Sequence, residues 1–339
     1  MSLTTTKVAA WAASQAKGRL EPFSYDLPPL GPKQVDVRVT HCGVCHSDLS
    51  MINNDWGMSA FPIVPGHEVV GIVEAVGPEV QDLRVGDRVG IGWQAGSCGH
   101  CEWCRAGEEQ LCAQEEPTIA GRYGGWASTI RVDGRFAILL PEAIESHLAG
   151  PLMCAGVTVF APPRHNGVQP GMRVAVIGVG GLGHLAVQFL AKMGCEVTAI
   201  TSSHDKDDEA RRLGASRVLA TRQPAEIAGA ANSLDFILST VAADLPWNDF
   251  INCLRPKGTL CFVGVAPNEI HAPVFSLIQR EKRMVGGRAG SPADIRAMLA
   301  FAAQQGIRPQ VERFPVAQVN EAMERMRTGK VRYRAVLEL

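Results

Sequence analysis

Up to about residue 147 the apolar positions come in short β-branched runs broken by glycine and proline. "VDVRVTHCGVC", "EVVGIVEAVG" and "DRVGIGW" each read as strands bounded by turns. The 3.6-residue period of an amphipathic helix is weak throughout this stretch, which predicts an irregular, mostly β domain. The texture changes near residue 148. "RVAVIGVGGLGHLAVQFLAKMG" is a short apolar strand, a glycine turn and then a helix with apolar residues at helical spacing. "EVTAITSS" follows as a strand, "KDDEARRLGA" as a polar helix ending at Gly214, and "SRVLAT", "LDFILSTV" and "GTLCFVGV" as further strands. Strands alternating with helices predict a parallel sheet wound by crossover helices. This block runs from 148 to 290. Two amphipathic helices, "ADIRAMLAFAAQQG" and "AQVNEAMERMRTG", and a closing strand, "YRAVLEL", complete the pattern.

The 339 residues suffice for two domains with separate cores. The 33 basic and 34 acidic residues nearly cancel, leaving a net charge of −1 and no electrostatic footprint for nucleic acid or an anionic membrane. No apolar run reaches the ~18 residues of a membrane span. The N-terminal "MSLTTTKVAAWAASQAKGRLEP" lacks a signal-peptide core, because Ser14, Gln15 and Lys17 interrupt its small apolar run. A cytoplasmic protein is the expectation.

The chain has ten cysteines, and in a reducing compartment clustered thiols more often bind metal than form disulfides. Cys98, Cys101, Cys104 and Cys112 lie together in a polar loop within a lobe spanning about 92–115 and read as a metal cage. Cys195, Cys253 and Cys261 sit in apolar surroundings and read as small buried hydrophobes.

In "GVGGLG", Gly178, Gly180 and Gly183 form G-x-G-x-x-G, with Gly181 and Leu182 in the same turn. Because the motif follows a strand and opens a helix, it predicts backbone N–H groups cradling a pyrophosphate at the helix N-terminus. A turn that only packs helix on strand is the alternative. An NAD site usually ends its second strand with an acid that bonds the ribose 2′-OH. Here Thr201, Ser202 and Ser203 stand in that place, followed by Lys206, and hydroxyls with a lysine suit a 2′-phosphate. NADP(H) is therefore the expected cofactor. Asp205 and Asp207 are expected to start the next helix.

"GHEVVGIVEAVGPEV", with "CGVCHSD" upstream and Cys154 in "PLMCAGVTVF" downstream, gives the chain a resemblance to the zinc-dependent medium-chain alcohol dehydrogenases over essentially its whole length. Within that superfamily "CGVCHSDLSMINNDWG" and "VGIGW…SCGHC" look most like the cinnamyl-alcohol dehydrogenase branch and bacterial NADPH-dependent broad-range aldehyde reductases. The resemblance implies an α/β protein: a GroES-like mostly-β catalytic domain over 1–147 and 291–339, and a Rossmann doubly wound parallel-sheet domain over 148–290. It implies two Zn²⁺ per chain. Cys45, His67 and Cys154 would hold the catalytic zinc, with a fourth position open, and Cys98, Cys101, Cys104 and Cys112 would close around a structural one.

Further roles follow from the same resemblance. Glu68 would be the acid behind the catalytic metal, and Asp48 would orient His67. Ser47 matches the hydroxyl that passes a proton to the alkoxide, and Ser50 stands where many relatives carry a relay histidine. His46 matches a phosphate-contact position, with a solvated surface histidine the even alternative. Thr158 and the strand end Val263, Gly264 and Val265 match residues lining the nicotinamide. Arg332 and Arg334 are both candidates for a cofactor phosphate contact. Trp56, Trp93 and Trp126 would border the substrate pocket, core packing being the competing reading. The implied activity is reversible reduction of a broad range of aliphatic and aromatic aldehydes to primary alcohols with NADPH, in a homodimer. The other enzyme reading is an NAD-dependent polyol or secondary-alcohol dehydrogenase.

Overall fold

The computed structural model describes residues 6–339. In chain order, the first elements are β1 (Thr6–Ala12), β2 (Glu21–Leu27), β3 (Gln34–Val44), α1 (His46–Asn53), β4 (Val69–Val76), β5 (Arg88–Ile91) and β6 (Gln94–Gly96). Then come α2 (Glu102–Arg105), β7 (Glu116–Pro117), β8 (Thr129–Asp133), β9 (Ile138–Leu139), α3 (Ser146–Pro151) and α4 (Val157–His165). The alternating region holds β10 (Arg173–Ile177), α5 (Gly183–Lys192), β11 (Glu196–Thr201), α6 (Asp207–Arg212), β12 (Arg217–Ala220), α7 (Pro224–Ala228) and β13 (Leu234–Ser239). It continues with α8 (Trp247–Cys253), β14 (Leu254–Phe262), α9 (Val274–Ile278) and β15 (Arg283–Gly286). The chain closes with α10 (Pro292–Gln305), β16 (Val311–Pro315), α11 (Val319–Arg327) and β17 (Arg334–Glu338).

The chain divides into two compact units. The first runs to Cys154 and adds Ser291–Ala303 and Arg308–Leu339. Its main sheet has the order β16-β17-β3-β4-β5-β9, with β8 also paired to β3. Val35, Val37 and Val39 alternate along β3 and point into the core with Val69, Val73, Ile91 and Ile130, as period-two burial requires. The polar Asp36 among them is held by a two-pronged ion pair with Arg131 of β8, at 2.6 and 2.8 Å.

The second unit comprises Ala155–Gly290 and Gln304–Ile307. Its six strands are all parallel, in the order β12-β11-β10-β13-β14-β15. The winding reverses between β10 and β13, the place where such sheets leave a ligand crevice at their carboxyl ends. Buried Ile177, Ile200, Ile237, Phe250 and Leu260 belong to one core beneath it.

The texture change near residue 148 marks the start of a helix, not the division between units. α3 packs on β3, β4 and β17 of the first unit, and the division falls after Cys154. Among the described residues no helix is long and apolar enough to cross a membrane.

Candidate active site

Cys45 follows the last residue of β3 and sits at the N-cap of α1 with extended backbone, φ −120° and ψ 157°. Asp48, three residues on, accepts the Cys45 N–H at 2.9 Å through Oδ2. This is the reciprocal bond of a capping box, and it fixes the angle at which the Cys45 thiol leaves the helix end. The other Asp48 oxygen accepts from Gly66 N at 2.9 Å and faces His67 Nδ1 at 2.9 Å. One buried carboxylate thus sets the position of Cys45 and of His67. A carboxylate only accepts, so Nδ1 carries the hydrogen and Nε2 points the other way.

His67 Nε2 is buried and has no hydrogen-bond partner. Cys154 enters from a single π-type turn, Leu152–Gly156, that joins α3 to α4. Such turns widen a helix locally and redirect a side chain. Its sulfur lies 4.0 Å from that of Cys45, and ligand atoms of Cys45, His67, Glu68 and Cys154 all fall within 4.8 Å of one another. An orphaned imidazole nitrogen between two thiols fits a zinc ion, with two sulfurs and one nitrogen as donors. The Cys45 thiol is held well below its usual value, by the hydrogen bond with Cys154 first and by Arg334 and His67 as well, against burial. Burial lowers the proton affinity of His67, yet Asp48 and Cys45 raise it well above the ordinary range. The surrounding anions favour a positive charge here, which a metal ion supplies in place of the proton.

Behind the ligands, Glu68 is 0% exposed and paired with Arg334. Burial pushes the Glu68 carboxyl up to about 8, against the pull of Arg334. Glu68 Oε2 has no partner and is the carboxylate oxygen turned away from the arginine. Gly43 makes room for it, since a Cβ there would lie 1.9 Å from that oxygen. Arg334, expected at a cofactor phosphate, is 5% exposed on β17 and pairs with Glu68 through Nη2, while its Nε has no hydrogen-bond partner. Arg332 is exposed, with its guanidinium 4.8 Å from the Tyr333 ring centroid.

Ser47 is partly buried on α1, its Oγ 3.9 Å from the Cys45 sulfur; Ser50 is buried on the same helix and His46 is exposed. Trp93 stands edge-on to the His67 ring, with centroids 5.2 Å apart at 80°. Trp56 stands edge-on to Trp93 at 6.0 Å and is 40% exposed, so an aromatic wall runs from His67 outward. Trp126 is not part of that wall. It is 0% exposed in the core, where its indole fills space beside Gly66 and its N–H donates to the Gly43 carbonyl at 3.4 Å.

The sulfurs of Cys98, Cys101, Cys104 and Cys112 also fall within 4.8 Å of one another. Backbone N–H groups of His100 and Cys101 point at Cys98 Sγ and pull that thiol down to about 6. Cys104 N and Gln114 N approach Cys101 Sγ and Cys112 Sγ in the same way. Four sulfurs, three of them turned toward amide donors, fit a closed tetrathiolate metal site.

In the second unit the glycine turn borders a cavity of about 500 Å³. Gly178 has φ +88°, and a Cβ on Gly183 would lie 1.7 Å from the Gly178 carbonyl oxygen, so these two glycines shape the turn itself. A Cβ on Gly180 would meet nothing within 4 Å, which leaves open space above the turn for a pyrophosphate. Gly181, Leu182, Thr201, Ser202, Ser203 and Lys206 also line the cavity. Lys206 Nζ donates to the Val179 carbonyl at 3.1 Å, and Thr201 Oγ1 to the Ser203 carbonyl at 2.6 Å. Asp207 opens α6 as expected, but Asp205 does not join that helix. It lies in the preceding turn, lines the cavity and accepts from Ser203 Oγ at 2.7 Å. Thr158 is partly buried on α4; Val263 and Gly264 donate their N–H groups to the Ser239 carbonyl, and Val265 is 66% exposed.

A parallel-sheet unit with a glycine turn and a β unit with two thiol-rich clusters together define a zinc-binding dehydrogenase. The chain matches the family Alcohol dehydrogenase GroES-like domain over residues 31–142 and the family Zinc-binding dehydrogenase over residues 181–304. It is 48% identical to an aldehyde reductase, AdhA, of Synechocystis sp. over 97% of this chain and 98% of that one. Its fold is similar to that of a cinnamyl alcohol dehydrogenase of Sorghum bicolor, with TM-score 0.94, 38% identity and 98% of each chain covered. The protein CAD from Helicobacter pylori, solved in complex with NADP(H), gives TM-score 0.90 at 27% identity, with 99% of each chain covered. The chain belongs to the zinc-dependent medium-chain alcohol dehydrogenase superfamily, and it is an oxidoreductase of the alcohol dehydrogenase and aldehyde reductase type.

Proposed function

We propose that this enzyme reduces aldehydes to primary alcohols with NADPH, over a broad aliphatic and aromatic range, and runs in reverse as an alcohol dehydrogenase. The observation that carries the catalytic reading is the orphaned His67 Nε2 between the Cys45 and Cys154 thiols. Bound there, zinc supplies a Lewis acid for a carbonyl oxygen, while NADP(H) supplies the hydride. The chain's own residues do the rest. Asp48 holds His67 in the tautomer that leaves Nε2 free, and the Glu68–Arg334 pair sets the charge behind the thiolates. Ser47, beside Cys45, is placed to hand a proton to the nascent alkoxide. Trp93 and Trp56 offer a flat apolar surface to an aliphatic or aromatic tail. Cys98, Cys101, Cys104 and Cys112 hold a second, structural zinc.

The cofactor reading is supported by Ser202, Ser203 and Lys206 along the cavity over the glycine turn. The NAD reading, with a polyol or secondary alcohol as substrate, draws on one observation, the Asp205 carboxylate in that same lining. Comparing kcat/KM for NADPH and NADH decides between them, and an NADH preference overturns the first. Cys45→Ala is expected to abolish turnover while keeping the tetrathiolate metal; unchanged reductase activity would sink the ligand assignment. A screen over linear, aromatic and ketone substrates, repeated with Trp93→Ala, tests the aromatic wall.

A homodimer completes the reading. β15 is an edge strand of the six-stranded sheet, and Val274, Phe275 and Ile278 of α9, the element before it in the chain, are 66%, 71% and 67% exposed. An edge strand and an exposed apolar patch each suit pairing with a second copy. Light scattering of Phe275→Asp against the parent protein checks it.

A further inference from the structure

The turn after β11 carries Ser202, Ser203, Asp205 and Lys206 into the lining of the dinucleotide cavity. His204 sits in their midst, lies outside that lining, and is bonded at both ring nitrogens. Nδ1 is 3.0 Å from Asp207 Oδ1 at the start of α6, and Nε2 is 2.9 Å from Glu226 Oε1 on α7. The other Glu226 oxygen accepts the Ala220 N–H at the end of β12, at 2.9 Å. One imidazole therefore ties the turn to α6, to α7 and, through Glu226, to β12.

A neutral imidazole has one N–H and one lone pair, so it satisfies only one of two carboxylates and repels the other. Bridging both takes the imidazolium. We propose that His204 is a positioning residue for the 2′-phosphate turn: as imidazolium it clamps Ser202, Ser203 and Lys206 in place, and as it loses its proton NADP(H) binding weakens. The proposal rests on the reading that NADP(H) is bound at this turn.

The charged groups around the clamp are few. On the same turn, Asp205 is taken up by Ser203, and Lys206 donates to the Val179 carbonyl of the glycine turn. α6 contributes Asp207, α7 contributes Glu226, and Arg217 of β12 acts on Glu226. Glu226 first, then Asp207, raises the His204 proton affinity above the ordinary 6.5, against a smaller effect of burial. Glu226 is held below the usual carboxylate range by the Ala220 N–H and then by His204. Because the folded-state value of His204 is raised, the clamp is present at low pH and is lost as pH rises through that value. The 2′-phosphate itself, with a second pKa of ~6, is already fully charged over most of this window.

The test uses the zinc-loaded full-length protein and reads dissociation constants of NADPH and NADH by nicotinamide fluorescence, from about pH 7 to about 9.5. The NADPH constant is expected to rise roughly two- to tenfold across the window, the scale of one hydrogen bond's net contribution, while the NADH constant stays level. His204→Gln should bind NADPH weakly at every pH, without the slope. Glu226→Gln keeps an acceptor for Ala220 N–H but removes the anion, so the slope should persist with its midpoint at lower pH. A level NADPH profile in the parent protein, or the same slope in His204→Gln, overturns the proposal alone. Equal affinity for NADPH and NADH near pH 7 overturns the 2′-phosphate reading and the proposal with it.

Discussion

Asp48 and His67 face each other at 2.9 Å with both side chains 0% exposed, and the same carboxylate holds the backbone N–H groups of Gly66 and Cys45. Asp48 thereby sets two candidate metal ligands from one point. Asp48→Asn keeps the volume but turns one acceptor into a donor. Zinc affinity at the Cys45–His67–Cys154 site is expected to fall about 10- to 100-fold, the usual cost of losing a carboxylate behind a ligand histidine. Chelator competition measures it, and the tetrathiolate zinc should remain.

The Glu68–Arg334 pair predicts an asymmetry. Arg334→Ala leaves the fully buried Glu68 carboxyl, already raised to about 8, without its partner and should destabilise the fold by about 1–3 kcal/mol. Replacing both with a neutral pair, Glu68→Gln with Arg334→Met, should cost less than Arg334→Ala alone. Denaturant midpoints of the three variants check the order.

The two thiol clusters predict separable losses. Cys112→Ala breaks a closed set of four sulfurs, and the zinc content should drop from about two to about one per chain, with a lower melting temperature. Elemental analysis and thermal melts read both. Cys45→Ala should give the same metal count with a smaller thermal penalty, since the 92–115 lobe keeps its staple.

The glycine turn predicts two different failures. Gly183→Ala places a methyl 1.7 Å from the Gly178 carbonyl oxygen, so the turn must move, and both the melting temperature and cofactor binding should fall. Gly180→Ala adds a methyl to open space, so the melting temperature should hold while NADPH binding weakens. If Gly180→Ala left NADPH affinity unchanged, the pyrophosphate would not lie over this turn.

Elements with strong periodicity are legible in the sequence itself. The strand, glycine turn and helix from Arg173 to Lys192 follow directly from the apolar pattern. The short α1 is not, because it is built from a capping box, Cys45 with Asp48, in place of an apolar stripe. The pairing of Arg334 with Glu68 joins residues 266 positions apart, and no local pattern reports it. Trp126 looked like a pocket residue because of its neighbours in sequence. Its indole fills the space left by the missing side chain of Gly66, where a Cβ would lie 2.5 Å from the ring. His204 carried no motif at all, since Glu226 reaches it only once α7 has packed beside β12.

β17, which carries Arg334, lies between β16 and β3, second from the edge of its sheet, and Val336 pairs with Gly43. On the ribosome, β3 must wait while roughly 290 more residues are added, about 15 to 60 s at ~5–20 residues per second. Over that interval Ala155–Gly290 emerges as one nearly continuous unit. Cys45 and His67, made early, have no arginine behind Glu68 until translation has passed Arg334. The nascent chain therefore has a long stage in which Cys45 and His67 exist without the strand that completes their surroundings.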